Sequence, residues 1–236
     1  MKISLFVLLA LLSSVIYAEK IQVVTETLHP YNYEENGEIK GASTEIVRAV
    51  LARAKRDYAI TLLPWSRAYD EAQNVPNVLI YTIMRLPPRE SLFKWIRPLG
   101  PPEKTILFRL KSNKTVTPTT LEEARKYTIG TYQNGMNEII LENLNFPMIN
   151  VAPGIKENIA MFFGKRVDMI AFLASALEQH AKMAGHSMDE IEPVLPLYST
   201  TPYMAMSKQT DDAVVRQLQK AYDKLLKEKA ITLITH

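Results

Sequence analysis

Apolar residues follow two alternating rhythms along this chain. Short, nearly unbroken apolar runs alternate with longer stretches in which apolar positions recur every three or four residues. The first rhythm predicts buried strands and the second amphipathic helices. Ile21-Gln22-Val23-Val24-Thr25 opens the series. A helix follows, with Ile46, Val47, Val50, Leu51 and Ala54 on one face and Ser43 as its expected cap. Gly37 and Gly41 bracket a turn before it. Tyr58 to Leu63 reads as a strand, Asp70-Glu71-Ala72 as part of a short helix, and Val78 to Ile83 as a third strand. Strand–helix–strand–helix–strand is the pattern of a parallel sheet with helices on its faces.

After Gly100-Pro101-Pro102 the rhythm restarts. Lys104 to Leu110 is a β-type run, and Thr120 with Glu123 has the spacing of a capping box. Strands are expected at Tyr127 to Thr131, Ile149 to Ala152 and Val167 to Phe172. Helices are expected after Asn134-Gly135, at Glu157 to Phe163 and at Ala174 to Met183. The chain turns extended again from Glu192 to Tyr198. Tyr203 to Met206 reads as a strand, and Thr210 or Asp211 caps a last helix carrying Val214, Val215, Leu218, Tyr222 and Leu225. One strand and one helix are too little for a domain, so they must rejoin an earlier core. The expected organisation is a discontinuous lobe of residues 19–103 with 198–236, and an inserted lobe of residues 104–197. A cleft between lobes is a preferred ligand site.

Composition narrows the function classes. The 47% hydrophobic and 22% charged content is that of an ordinary globular chain. A net charge of +3, with no basic clusters interleaved with aromatics, argues against nucleic acid. Residues 1–18 have a positive start at Lys2, an apolar core from Ile3 to Leu12 and a small residue at Ala18. That is the pattern of a signal peptide cleaved after Ala18, and its apolar run is shorter than the ~20 residues a membrane span needs. Export without a single cysteine fits a periplasm.

Candidate chemistry concentrates between Tyr81 and Pro101. The strand there stops at Pro87-Pro88, flanked by Arg85 and Arg89, with an aromatic, Trp95, six residues after Arg89 and expected to be exposed. Guanidinium groups at a strand end suit a carboxylate or phosphate. Solvated loop charge is the competing reading of both. The four histidines show no metal-type spacing, and no nucleophile elbow, phosphate loop or zinc motif occurs. No catalytic residue, metal or cofactor is therefore expected.

Taken together, Thr82-Ile83-Met84, Pro87-Pro88-Arg89, Trp95, Pro98, the turn from Gly130 to Gly135 and Gly164-Lys165-Arg166-Val167-Asp168 resemble the extracellular solute-binding proteins of family 3. The resemblance implies an α/β, two-lobed, periplasmic-binding-protein-like (type II) fold, with a cleft between two small α/β lobes joined by two hinge strands. It implies capture of a small carboxylate-bearing solute, a polar amino acid or a relative, for an ABC transporter. The partners it implies are that anionic or zwitterionic small molecule and an inner-membrane ABC permease, and a monomer is expected. An orphan or sensory binding module and a cyclohexadienyl-dehydratase-like enzyme are the alternatives. Residue by residue, it assigns the ligand carboxylate to Arg89, or to Arg85 because the turn carries two extra residues. Backbone N–H groups of Met136 and Asn137 after Gly135 would assist, and Tyr31 and Trp65 would stack on the ligand. Phe172 and Tyr203 complete the expected contacts. The aspartate that usually holds a ligand ammonium is replaced by Leu173, so either Glu26 supplies the charge or the ligand is not an ordinary α-amino acid. Asp168 is expected to bond backbone near its turn.

Overall fold

A computed structural model describes residues 20–234; the expected signal peptide lies outside them. The chain forms twelve strands and seven α-helices in this described part. In order they are β1 (Ile21–Thr25), β2 (Tyr33–Glu35), β3 (Glu38–Lys40), α1 (Ala42–Arg53), β4 (Tyr58–Leu62), α2 (Trp65–Asn74), β5 (Val78–Met84) and β6 (Phe93–Pro98). There follow β7 (Glu103–Leu110), α3 (Leu121–Ala124), β8 (Ile129–Tyr132), α4 (Met136–Asn143), β9 (Ile149–Ala152), α5 (Ile155–Phe163) and β10 (Met169–Leu173). The chain closes with α6 (Leu177–Met183), β11 (Ile191–Thr200), β12 (Pro202–Ser207) and α7 (Asp212–Lys227).

Two five-stranded sheets result, one per lobe. The first has the order β4-β1-β5-β12-β6 and the second β11-β7-β10-β8-β9. In the first, β1 runs parallel to β4 and β5, whereas β12 is antiparallel to both β5 and β6. Every residue of β5 is buried, as its near-continuous apolar sequence requires of a central strand. Helix α7 lays Val215, Leu218, Tyr222 and Leu225 onto this lobe against α1, and Val214 is only half-buried. Its N-terminus is capped by Asp211, whose carboxylate accepts from Ala213 N at 2.6 Å. In the second lobe β10 is buried throughout, and α5 covers it with Ile155, Ile159 and Phe162. The chain passes between sheets twice, from β6 to β7 and from β11 to β12, and the two crossings lie side by side because Glu103 pairs with Thr200.

Several local expectations change. Ser43 does not cap α1: the helix starts at Ala42 after Gly41, and Ser43 is buried within its first turn. Gly41 adopts φ 116°, which lets the helix start pass close under Tyr31. The turn before it is a β2–β3 hairpin, with Asn36 and Gly37 both at positive φ (53° and 78°), the geometry whose twist matches the paired strands. Thr120 caps α3 by accepting from Glu123 N, but the Glu123 carboxylate turns to Thr119, so the reciprocal half of the capping box is not made. The expected helix at Ala174 begins only at Leu177. Trp95 is not an exposed loop aromatic. It is half-buried on β6, edge-on to Phe93 and Tyr203, with its indole N–H on Glu90 O. Asp168 behaves as expected, accepting from Thr128 N at 2.9 Å.

Candidate functional site

The two sheets aim their strand ends at one another, and a cavity of about 30 Å³ lies between them. That is room for little more than one water-sized molecule. From the first lobe the cavity is lined by Glu26, Leu28, Trp65, Thr82, Met84 and Arg89. From the second come Tyr132, Met136, Asn137, Phe172 and Leu173.

Arg89 is the largest fully buried side chain among the described residues, at 1% exposure. It ends a single 3-10 turn, Pro87–Arg89, that folds back under β5, so its Nη1 donates to Met84 O at 3.2 Å. Its Nη2 reaches across to Asn134 O of the second lobe at 2.8 Å. Trp65 and Tyr69 present their rings to the guanidinium, with centroids 5.4 and 5.0 Å from its carbon. The Trp65 indole N–H donates to the same Asn134 carbonyl at 2.6 Å. Burial draws the Arg89 pKa below its ordinary value, which neighbouring tyrosine hydroxyls and Glu26 oppose.

Glu26 follows β1 directly. Tyr132, at the end of β8, donates its hydroxyl to Glu26 Oε1 at 3.2 Å across the cleft. Burial pushes the Glu26 pKa up to about 8, against the pull of the Tyr132 bond and the Arg89 charge. A carboxyl whose folded-state pKa is raised is held protonated, and stability is lost as pH rises from the unfolded value toward 8. His180 acts with the opposite sign. Burial, with His29 nearby, pushes it down to about 4, so stability is lost as pH falls from about 6.5 to 4. Between pH 6.5 and 8 only the Glu26 slope remains of these two. Thermal denaturation should show the melting temperature falling over that window, and Glu26→Gln should flatten the fall; an unchanged slope would remove Glu26 as its cause.

Thr82 is the local irregularity that shapes the cavity. The β5–β12 register slips there, with Ile83 opposite Tyr203 but Tyr81 opposite Met204. Thr82 takes φ 58°, a costly conformation for a β-branched residue. The bulge turns its hydroxyl toward Asn32, to whose Oδ1 it donates at 2.7 Å. Asn32 in turn donates its amide to Glu26 O, so the bulge and the Glu26 backbone are tied together.

The structure sorts the residues expected from sequence. Glu26, Trp65, Arg89, Met136, Asn137 and Phe172 come together around the cavity, with Gly135 as the N-cap of α4. Arg85, the rival of Arg89, lies elsewhere with Tyr203. It pairs with Glu90 at 2.5 Å and is flanked by the Trp95 and Tyr203 rings, beside an open groove near the hinge strands. The turn places the two arginines at separate sites. Tyr31 does not line the cavity either. Its hydroxyl donates to Glu103 Oε1 (2.7 Å) and lies 2.7 Å from Ser175 Oγ, which itself donates to Glu103 Oε2 (2.8 Å). These three residues come from the first lobe, a crossing strand and the second lobe. Tyr31→Phe should therefore loosen closure and weaken solute binding roughly tenfold or more, about 1.5–3 kcal/mol. Calorimetry with small-angle scattering checks this, and unchanged affinity and compactness would reject the latch.

Sequence reading did not assign Tyr132, Thr82 or Met84 to the site. The signal for each was its place at the C-terminal end of a strand, the ligand edge of an α/β sheet.

The sequence pattern of the bacterial extracellular solute-binding proteins, family 3, matches residues 21–235. The chain belongs to that family. Solved structures of the same fold include a histidine kinase sensor domain with similarity to periplasmic binding proteins, at TM-score 0.77 and 15% identity, covering 89% of this chain and 92% of that one. The arginine-, lysine-, histidine-binding protein ArtJ from Geobacillus stearothermophilus superimposes at TM-score 0.75 with 16% identity, over 90% and 91% of the two chains. An amino acid ABC transporter substrate-binding protein, AbpA from Streptococcus pneumoniae, bound to L-arginine, gives 0.74 and 15%, over 89% and 90%. At such identities these neighbours attest the two-lobed fold. No curated protein sequence matches the chain. Among the described residues no helix is long and apolar enough to cross a membrane.

Proposed function

We propose that this family-3 protein is a periplasmic receptor that captures a small carboxylate-bearing solute between its lobes for an inner-membrane ABC permease. The observation that carries the reading is Arg89: a guanidinium buried in the interlobe cavity, reaching the second lobe just before α4. A desolvated, planar, always-charged fork of donors is suited to a carboxylate. The first turn of α4 adds oriented backbone N–H groups on the opposite wall. Residues 19–103 with 198–236 would move as one lobe and 104–197 as the other, hinging at the paired crossing strands, with a monomer as the working unit.

A thermal-shift screen of the full chain over amino acids, hydroxy acids, dicarboxylates and short peptides tests it. A true ligand at 100 times its Kd should add about 2.7 kcal/mol of stability. Absence of any carboxylate among the stabilising compounds would end the proposal. Prephenate belongs in the same screen, because its turnover would replace capture with elimination.

A further inference from the structure

Two residues that line the cavity each keep one buried polar atom, of opposite kind, with no hydrogen-bond partner. Arg89 uses Nη1 and Nη2 on Met84 O and Asn134 O, while its Nε is unpartnered. Asn137, 4% exposed, is oriented by its amide N–H donating to Ala171 O at 2.7 Å, and its Oδ1 is unpartnered. Each such buried atom costs about 1–3 kcal/mol. A solute that supplied an acceptor to Arg89 Nε and a donor to Asn137 Oδ1 would recover both.

The charge of that donor is set by what surrounds it. The second-lobe wall offers Tyr132, Met136, Asn137, Phe172 and Leu173, with no carboxylate among them. The one carboxyl at the cavity, Glu26, is already engaged by the Tyr132 hydroxyl. An ammonium at this wall would surrender its water for a neutral amide oxygen and apolar surfaces, which does not offset the cost of burying a cation. An uncharged hydroxyl needs only one acceptor, and Asn137 Oδ1 provides it.

We propose that the solute is a small hydroxy-carboxylate, its carboxylate on Arg89 and its hydroxyl donating to Asn137 Oδ1, and not an α-amino acid. This rests on the carboxylate-capture reading above and narrows it. Glu26 serves as a neutral acid under the Tyr132 hydroxyl. Burial keeps it protonated through neutral pH, which leaves Arg89 as the net charge of the cavity and matches a monoanion.

Calorimetric titration of the full chain at neutral pH with matched sets decides it: lactate, alanine and pyruvate, then 3-phenyllactate, phenylalanine and phenylpyruvate. The hydroxy acid of at least one set should bind at least tenfold more tightly than its amino and oxo counterparts. Asn137→Asp should weaken the hydroxy acid and strengthen the amino acid. An amino acid binding as tightly as the hydroxy acid would overturn the inference while leaving carboxylate capture standing. An oxo acid matching the hydroxy acid would overturn the donor role given to Asn137. If no member of either set binds, the inference falls; if Arg89→Ala is also without effect on every ligand found by screening, carboxylate capture falls with it.

Discussion

Replacing Arg89 by Ala is expected to abolish solute capture while leaving a folded protein. Among the described residues the guanidinium is the one charge whose donors span both lobes at the cavity, with bonds to Met84 O and Asn134 O. Removing one partner of a buried, charge-assisted pair costs about 2–5 kcal/mol, or roughly 30-fold to several thousand-fold in Kd. The fold survives because the side chain itself bears a desolvation cost that its neighbours only partly offset. Arg85→Ala is the control. Its ion pair with Glu90 is solvent-exposed, so it should cost no more than about 1 kcal/mol of stability and leave affinity nearly unchanged. Isothermal titration of both variants with the ligand found by screening separates them. Equal losses would show that the turn at Pro87–Arg89 does not sort the two arginines as described.

Gly41→Ala should cause the largest loss of stability of any single methyl addition in the first lobe. At φ 116° and ψ 159° Gly41 occupies a region essentially closed to other residues. A Cβ there would lie 2.3 Å from Tyr31 O and 2.8 Å from Asn32 N, both backbone atoms that cannot swing aside. A loss of about 3–5 kcal/mol follows, roughly 10 °C in melting temperature for a chain of this size. Scanning calorimetry measures it, and a shift under about 2 °C would show that the loop before α1 has room to relax. The damage would also reach the site, since Tyr31 carries the latch and Asn32 is bonded to Thr82 and Glu26.

Much of this was readable from residue order. The run Val78 to Ile83 has no polar break before Thr82 and could only be a central strand. The last helix needed a partner, and its apolar face found α1. Trp65, Met136, Asn137 and Phe172 came from the family resemblance, with Glu26 as the alternative to the missing aspartate, and all five line the cavity. What could not be read depends on contacts across the cleft. Tyr31 and Tyr132 are both tyrosines near strand ends, and nothing local distinguishes the one that bonds Glu103 from the one that bonds Glu26. Choosing between Arg85 and Arg89 needed the three-dimensional course of a turn with two extra residues. The Thr82 bulge was hidden as well, because threonine favours extended strand geometry and its positive φ is imposed by β12. β6 escaped because its half-buried charges, Lys94 and Arg97, break the apolar run with groups that pair instead with α7, at Asp212 and Asp223.

The position of β12 also has a consequence for the growing chain. All five strands of the second sheet are available once Thr200 has been made, yet the first sheet lacks its fourth strand in spatial order until Ser207. Until then β5 and β6 have no bridge between them, and β5 presents an open hydrogen-bonding edge. The half synthesised first is therefore the half completed last. A chain stopped between the two final strands would carry a whole second lobe and an unsealed first one, the kind of species that chaperones retain and neighbouring chains can pair with.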